Sequence, residues 1–307
     1  MELLLAFTGH DEHAWKQAFA QALPEARISV WPDAPHTVDF AVVWRPPAET
    51  FTRVRVRHAI ANLGAGVDAL LQLPGLPTSI PILRLEDAGM AEQMAEYVML
   101  AVLAAFREAR EYRELQQERR WVQRDRLDKP AFGIGLLGLG VLGQAVARPL
   151  IDFGFPVHGW SRTPRNMAGL RSWAGRSQLP SVLAAAKVLV CLLPSTPDTR
   201  GLLDRARLLQ LPPGAHLVNI GRGDLVVEDD LVDLLDQGHL GSATLDVFRH
   251  EPLPPAHRFW HHPRITLTPH VSAATRIEAS VAQVAAKCRA MLRGEPVGGI
   301  VDRQRGY

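Results

Sequence analysis

A glycine-rich turn inside a strand–helix–strand pattern constrains the fold of this chain more than any other feature. Two apolar runs typical of parallel strands flank a stretch typical of a helix: Phe132–Leu137, Phe155–Trp160 and Gln144–Phe153. Between the first strand and the helix, Gly138–Gly143 has the spacing G-x-G-x-x-G. Such glycines permit a tight turn, a close approach to a pyrophosphate, and packing of helix on strand. The pattern predicts a dinucleotide site, although a bare turn or another adenosine-containing cofactor stays open.

The end of the second strand indicates which dinucleotide is bound. An NAD site usually has an acidic residue there to bond the ribose 2′-hydroxyl. This chain instead has Ser161, Arg162 and Thr163, and its next acidic residue is Asp198. An arginine fork can bind a 2′-phosphate, and hydroxyls can add hydrogen bonds. We therefore expect NADP(H) as the preferred cofactor and NAD(H) as a possible one; the alternative is that Arg162 is a solvated surface residue.

Reactive side chains follow a series of short apolar runs. The runs are Val188–Leu193, His216–Ile220, Ala243–Phe248 and Ile265–Thr268. Arg222, Glu251 and His270 come directly after the last three of them. Open α/β sheets place their sites beyond the carboxyl ends of such strands. The order predicts that an arginine, a glutamate and a histidine converge on one crevice. An arbitrary histidine among the 12 in this chain would more commonly be structural or solvated.

Composition and charge exclude several classes of protein. The net charge of +2 implies no field on the scale that nucleic-acid binding needs, so we expect no nucleic-acid partner. The two cysteines, Cys191 and Cys288, have no zinc-site spacing, and we expect no metal. Because the chain has no run of 18 apolar residues, we expect no membrane span. Met1–Phe7 is typical of a strand rather than a signal peptide, which favours a cytoplasmic protein.

The rhythm of strands and helices predicts two domains. The first ninety residues alternate short apolar runs with one helical stretch, as in a small doubly wound domain. One long helix is predicted from Ala91 into the Arg119 region, and Arg124–Pro130 is typical of a linker. A last helix is predicted over Arg276–Leu292. We place one discontinuous domain at 1–95 and 277–307, and the dinucleotide-binding domain at 96–276.

Motifs along the whole chain resemble those of the D-2-hydroxyacid dehydrogenases, and among them the bacterial glyoxylate/hydroxypyruvate reductases. Besides the glycine-rich turn, the resemblance rests on segments spread from one end of the chain to the other: Val42–Pro47, Asn62–Asp68, Arg84–Met94, Leu192–Thr199, Asn219–Gly223, Asp246–Pro254, Thr268–His270 and Val301–Tyr307. The glycine motif alone is unspecific. The order arginine, glutamate, histidine together with Asn62–Asp68 and Arg84–Met94 is far more specific.

The resemblance implies an α/β fold of two doubly wound parallel-sheet domains. A flavodoxin-like substrate domain and a Rossmann NADP-binding domain would enclose the active site in the cleft between them. It also implies a homodimer that reduces small 2-oxo acids such as glyoxylate and hydroxypyruvate. Hydride addition to C2 develops an alkoxide, which a histidine near its ordinary pKa can protonate. A neighbouring carboxylate orients the ring and favours its charged form.

The resemblance also implies a set of site residues. The catalytic residues are Arg222, Glu251 and His270. The cofactor-binding residues are Gly138, Gly140, Val141, Leu142, Gly143, Ser161, Arg162, Thr163, Pro194, Thr196, Thr199 and Asp246. The substrate-binding residues are Trp44, Gly64, Ala65, Gly66, Arg222 and Arg276. Plainer roles stay open for three of them: Glu251 as a turn cap, Trp44 as a packed aromatic and Asp246 as a residue that pins a loop.

Two positions depart from the family pattern. Gly221 stands before the arginine where alanine is common, and we expect it to loosen the arginine loop. Arg45 stands beside Trp44 in place of a less charged residue, and we expect it to alter the preferred size or charge of the substrate. Two other functions stay open. One is a dehydrogenase for another 2-hydroxy acid, and the other is a nucleotide-sensing interaction protein on the same fold.

Overall fold

The computed structural model describes residues 1–9 and 11–307. Up to residue 90 the elements are β1 (Glu2–Phe7), α1 (Glu12–Ala22), β2 (Arg27–Val30), β3 (Thr37–Trp44), α2 (Thr50–Arg53), β4 (Arg55–Asn62), α3 (Asp68–Leu71) and β5 (Ile82–Arg84). Then follow α4 (Met90–Phe106), α5 (Ala109–Gln117), β6 (Ile134–Leu137), α6 (Val141–Asp152), β7 (Val157–Ser161), β8 (Leu170–Ala174), α7 (Leu179–Ala185), β9 (Val188–Cys191), α8 (Arg205–Leu208), β10 (Ala215–Asn219), α9 (Glu228–Asp236), β11 (Leu240–Leu245), β12 (Ile265–Leu267) and α10 (Ile277–Leu292).

The first compact unit comprises Met1–Met90 and Thr275–Tyr307. Its five strands lie parallel in the order β2-β1-β3-β4-β5, the doubly wound order of flavodoxin-like folds. The central strands are apolar on both faces, as expected where helices cover both sides of a sheet. Helix α10 packs beside α1 in this unit and buries Val281, Val284 and Cys288.

The second compact unit comprises Ala91–Ala274. Its seven strands lie parallel in the order β12-β11-β10-β9-β6-β7-β8, which is the Rossmann order extended by one strand. The chain order reverses between β6 and β9, and such a reversal opens a crevice at the carboxyl ends of the strands. The predicted α/β fold with two doubly wound parallel sheets is confirmed. The unit boundaries fall a few residues before the domain boundaries expected from the sequence.

The prediction of one long helix from Ala91 to the Arg119 region is wrong. Helix α4 ends at Phe106, and α5 is a separate helix that begins after Glu108, whose φ of +52° is left-handed. The two helices differ in burial. The apolar face of α4 is buried at Val98 and Val102, whereas α5 buries no residue. The apolar spacing that predicted the helix therefore ends where the core ends, and the polar residues beyond it carried no signal for the break.

The structure shows the state of the two cysteines and the character of the helices. Both cysteines are free and buried, and burial raises the pKa of each thiol to about 12. Cys191, at the end of β9, is therefore an unreactive buried thiol. Across residues 1–9 and 11–307, no helix combines the length and the apolar character that crossing a bilayer would require.

A buried histidine lies in the middle of the second sheet. The His216 ring on β10 is 8% exposed and bonds two hydroxyls of β11, with Nδ1 2.7 Å from Ser242 Oγ and Nε2 3.0 Å from Thr244 Oγ1. A neutral imidazole donates through one nitrogen and accepts at the other, so the hydroxyls match it in either tautomer. Burial, and next the charge of Arg110, lower the pKa of His216 to about 4.

This buried ring predicts a stability loss in mild acid. The folded pKa of about 4 lies below the ordinary 6.5, so the unfolded chain takes up the proton first as pH falls. From pH 7 to pH 5 we expect His216 alone to remove about 2 kcal/mol of stability. Denaturant unfolding at both pH values, with His216→Gln and the exposed His261→Gln as a control, measures this. A wild-type protein whose pH dependence matches that of His216→Gln contradicts the prediction.

Candidate active site

Three neighbouring strands carry the predicted catalytic residues to one edge of the second sheet. β10, β11 and β12 are adjacent and parallel, and Arg222, Glu251 and His270 lie in the loops that follow them. Backbone bonds continue the ladder past the strand ends: the Asp246 N–H donates to the Asn219 carbonyl (3.0 Å), and the His270 N–H donates to the Asp246 carbonyl (2.9 Å). The three loops are thus tied together by the sheet itself.

His270 and Glu251 form a hydrogen-bonded pair. His270 Nδ1 lies 2.8 Å from Glu251 Oε2, and both side chains are partly exposed. The other oxygen of Glu251 accepts the Phe248 N–H at 3.0 Å, which fixes the carboxylate on its own loop. Because Nδ1 is engaged by the carboxylate, Nε2 is the nitrogen that is left for chemistry.

Glu251 stays charged in this setting. Burial raises the pKa of Glu251, but the hydrogen bonds from His270 and the Phe248 N–H, with the charges of His270 and Arg222, outweigh it and lower the pKa below its ordinary value. The charge of Arg222 therefore acts on Glu251, and the site places an arginine and a histidine around one carboxylate.

A buried asparagine holds the Arg222 loop. Asn219, 1% exposed, donates from Nδ2 to the Arg222 carbonyl (2.9 Å) and accepts the Gly221 N–H at Oδ1 (3.2 Å). The Arg222 guanidinium donates to the Gly221 carbonyl at 2.7 Å. Asn219 lies at the end of an apolar strand and gave no separate signal in the sequence.

The glycines beside Arg222 are required by packing. A Cβ on Gly223 would lie 1.9 Å from the Phe248 carbonyl carbon, so the arginine loop presses against the backbone that leads to Glu251. A Cβ on Gly221 would lie 2.7 Å from the Leu193 carbonyl oxygen. The expectation that Gly221 loosens the loop is therefore wrong, because the missing side chain allows close backbone contact with Leu193.

The glycine-rich turn has the geometry that a dinucleotide needs. Gly138 has φ +111°, and a Cβ on Gly143 would lie 1.9 Å from the Gly138 carbonyl oxygen, so both positions require glycine. Gly140 is the N-cap of α6, and a Cβ there would meet nothing within 4 Å. Val141 and Leu142 form the first turn of α6, and the turn lies between β6 and β9 where the strand order reverses. The open space at Gly140 and the free N–H groups of the helix start fit a pyrophosphate.

The other predicted cofactor residues lie in two loops of the same unit. Ser161 ends β7 and its hydroxyl donates to the Thr163 carbonyl at 2.7 Å, while Arg162 is exposed on the same turn. In the loop after β9, the Thr199 hydroxyl donates to the Pro194 carbonyl (2.6 Å) and accepts the Thr196 N–H (2.8 Å). These internal bonds help to fix the shape of both loops.

No signal in the sequence indicated one contact between the loop after β9 and the loop that carries Arg222. Asp224, two residues after Arg222, accepts a hydrogen bond from Ser195 and lies 3.2 Å from Arg200 Nε. Ser195 and Arg200 flank the Thr196–Thr199 turn. No spacing rule connects these residues, because the sheet alone brings the ends of β9 and β10 side by side.

Asp246 is fully buried and holds the loop that carries His270. One carboxylate oxygen accepts the Thr268 hydroxyl (2.6 Å) and the Val271 N–H (2.8 Å), and the other accepts the Ser272 N–H (2.8 Å). This corresponds to the loop-pinning role that the sequence left open. Its contact with a cofactor stays a prediction.

The predicted substrate residues other than Arg222 belong to the first unit. Trp44 ends β3, and a Cβ on Gly64 would lie 2.6 Å from its ring, so this glycine and the indole are in close contact. Asn62 shapes the following turn by donating to the carbonyls of Gly64 (3.2 Å) and Gly66 (2.9 Å), with Ala65 between them. Arg276 immediately precedes α10 and packs against Gly89. Arg45 is exposed with φ +44°, and its effect on substrate preference stays a prediction.

Residues 99–272 match the model of the D-isomer specific 2-hydroxyacid dehydrogenase family, NAD binding domain. The chain belongs to this family. A glyoxylate/hydroxypyruvate reductase A of Serratia proteamaculans is 47% identical over 299 residues, which cover 95% of this chain and 96% of that protein. The predicted family and enzyme class, an NAD(P)-dependent D-2-hydroxyacid dehydrogenase, are confirmed.

Solved structures of the family share the fold over the whole chain. One is a D-isomer specific 2-hydroxyacid dehydrogenase of Xanthobacter autotrophicus in complex with NADPH and MES, 37% identical with a TM-score of 0.94 over 100% of this chain and 99% of that one. Another is an NADPH-dependent glyoxylate/hydroxypyruvate reductase of Sinorhizobium meliloti in complex with NADP and sulfate. It is 34% identical with a TM-score of 0.92 over the same shares.

The packing at Gly221 generates a prediction for this dehydrogenase. Gly221→Ala forces a methyl group against the Leu193 backbone and should cost about 1–3 kcal/mol of unfolding free energy, the usual range for overpacking. The matched control is Gly140→Ala, whose methyl group enters open space and should cost only the roughly 0.5–1 kcal/mol of a weaker helix N-cap. Thermal or denaturant unfolding of the two variants measures the difference. Equal stability of Gly221→Ala and wild type would show that the loop yields freely.

Proposed function

We propose that this dehydrogenase reduces small 2-oxo acids with NADPH, converting glyoxylate to glycolate and hydroxypyruvate to glycerate. The observation that carries the proposal is the hydrogen-bonded pair of His270 and Glu251 beside Arg222, at the strand edge that also carries the glycine-rich turn. The names of its relatives, glyoxylate/hydroxypyruvate reductases, support the same substrates.

The residues divide the chemistry between them. The fork of Arg222 binds the substrate carboxylate and polarises the neighbouring carbonyl. His270, held at Nδ1 by Glu251, gives the proton at Nε2 to the oxygen that becomes the hydroxyl. Glu251 keeps the ring in one orientation through the hydrogen bond at Nδ1. Bound NADPH supplies the hydride to C2.

Substrate selection is assigned to the first unit. The peptide N–H groups around Gly64, Ala65 and Gly66 bind the second carboxylate oxygen, and Trp44 forms an apolar wall. Arg276 adds a further cation for the acid. The Asn62 bonds that shape the glycine turn support this assignment, because they hold its backbone in one conformation.

The cofactor preference rests on the turn after β7. No acidic residue lies between Ser161 and Asp198, so nothing at the strand end repels a 2′-phosphate. Arg162 binds the phosphate with its fork, and the hydroxyls of Ser161 and Thr163 add neutral hydrogen bonds. NADPH and NADP complexes of the solved relatives support this preference over NAD(H).

Removing Arg162 should discriminate between the two cofactors. Arg162→Ala loses a charge-assisted bond to the 2′-phosphate and should weaken NADPH about ten- to a hundredfold while leaving NADH nearly unchanged. Fluorescence titration with each cofactor measures this. Arg148→Ala on α6 removes another exposed arginine as a control. Equal losses for both cofactors in Arg162→Ala would make Arg162 a structural residue.

The activity itself is tested by following NADPH absorbance with a panel of 2-oxo acids. Glyoxylate and hydroxypyruvate should be the preferred substrates. His270→Gln should keep NADPH binding and cut turnover about a hundredfold or more, the range for a general acid, while His261→Gln should not. Tight NADPH binding without turnover of any acid would favour a nucleotide-sensing interaction protein, and turnover of bulkier acids alone would indicate another 2-hydroxyacid dehydrogenase.

We propose that the enzyme is a cytoplasmic homodimer. The segment after α5 exposes Trp121 fully, and Val122 and Leu127 beside it are also exposed, which is an apolar surface suited to a second copy. The free thiols of both cysteines suit a reducing compartment. Light scattering should give about twice the chain mass of 33.8 kDa, and a monomer at micromolar concentration would refute the dimer.

A further inference from the structure

Helix α4 directs two polar side chains, one turn apart, at the loop that carries His270. Gln93 and Tyr97 lie at positions i and i+4, so they share one face of the helix. Tyr97 bonds Thr268, two residues before His270, and Gln93 bonds Ala274, four residues after it. None of the roles assigned above uses either side chain.

The hydrogen bond at Tyr97 has one direction. Its hydroxyl oxygen lies 2.6 Å from Thr268 Oγ1, and Thr268 in turn donates its only hydroxyl proton to the Asp246 carboxylate. Tyr97 must therefore be the donor. Burial, and then the charge of Asp246, raise the pKa of Tyr97 above its ordinary value, while the bond to Thr268 opposes them. The phenol stays protonated at neutral pH. The hydrogen-bond relay from Tyr97 through Thr268 to Asp246 is therefore intact there.

The relay ends on the backbone around His270. Asp246, polarised by Thr268, accepts the N–H groups of Val271 and Ser272, the two residues that follow His270. His270 itself has φ +57°, a left-handed conformation that is unfavourable for a residue with a Cβ. Such a conformation persists only where surrounding bonds hold it.

Gln93 holds the far end of the same loop. Its side-chain amide donates to the Ala274 carbonyl at 3.0 Å and accepts the Ala274 N–H at 3.0 Å. This pair of bonds satisfies both backbone polar groups of Ala274. The loop from Thr268 to Ala274 is thus fixed at both ends by one helix.

We propose that Tyr97 and Gln93 are positioning residues that hold His270 in its left-handed conformation, with Nδ1 on Glu251 and Nε2 presented to the substrate. The proposal rests on the function proposed for His270. Tyr97 acts through Thr268 and Asp246, and Gln93 acts directly on the loop backbone. Neither side chain takes part in the proton transfer.

The first test measures the loop without reference to activity. Tyr97→Phe removes only the hydroxyl and should speed amide hydrogen exchange at Val271 and Ser272 about two- to tenfold, the factor for one ordinary hydrogen bond. Gln93→Leu should have the same effect at Ala274. The matched control is Tyr112→Phe on α5. It removes a phenol hydroxyl that accepts the Arg124 N–H and has no bond to the loop of His270. Unchanged exchange at all three amides overturns the proposal.

The second test asks whether the positioning role of Tyr97 acts through His270. Tyr97→Phe should lower the kcat for glyoxylate reduction about two- to tenfold, with NADPH binding unchanged. In the His270→Gln background the same substitution should cause no further loss, because there is no ring left to position. A loss of equal size in both backgrounds would assign Tyr97 a general structural role and overturn the proposal.

The two tests separate the positioning role of Tyr97 and Gln93 from the proposed function. Faster exchange in Tyr97→Phe together with normal turnover of His270→Gln would show that the relay holds the loop but that His270 is not the acid. That result would refute the proposed function, and with it the proposal that Tyr97 and Gln93 position His270 for catalysis. Thr268→Ser keeps the hydroxyl and should retain the wild-type kcat, whereas Thr268→Val should lower it. That pair of results would support the relay from Tyr97 through Thr268 to Asp246.

Discussion

The reactive edge of the second unit depends on a buried carboxylate. Asp246 lies at the end of a strand in the sheet, is fully inaccessible to solvent, and satisfies its oxygens on the hydroxyl of Thr268 and on two backbone N–H groups beyond His270. A buried carboxylate is costly unless such bonds are made, so the loop and the carboxylate stabilise each other. The position of His270, and through it the pairing with Glu251, follows from this arrangement.

Close backbone packing brings the arginine to the same place. Gly223 lies against Phe248 with no room for a side chain, and Asn219 binds both sides of the Arg222 peptide. Each of the three residues sits in a loop that follows a parallel strand, and the strands are neighbours, so the sheet brings the three loops to one edge.

Features that depend on local chemistry could be predicted from the sequence. The glycine spacing, the apolar strands and the order of Arg222, Glu251 and His270 each have a signal within a few residues. Tyr97 had none, because it and Thr268 are 171 positions apart and only the fold brings them together. Gln93 lay within a family segment, Arg84–Met94, but nothing in the sequence linked it to Ala274. The break before α5 was missed for a different reason: a polar helix and a polar loop have similar composition. Gly221 was misjudged because its neighbour, Leu193, belongs to another strand end.

The discontinuous first unit has a consequence for synthesis of the chain. The residues of the second unit are contiguous, so all of them are synthesised before the first residue of α10. The first unit is incomplete until α10 arrives: Arg289 then binds Glu25 and the Ala22 carbonyl, Lys287 binds the Arg84 carbonyl, and Val301 bonds Ile82. During translation, α1, which carries Trp15 and Phe19, lacks the helix that packs against it until the whole second unit has been synthesised. The N-terminal part of the first unit is therefore the part of the nascent chain whose apolar surface stays uncovered longest, until α10 has emerged.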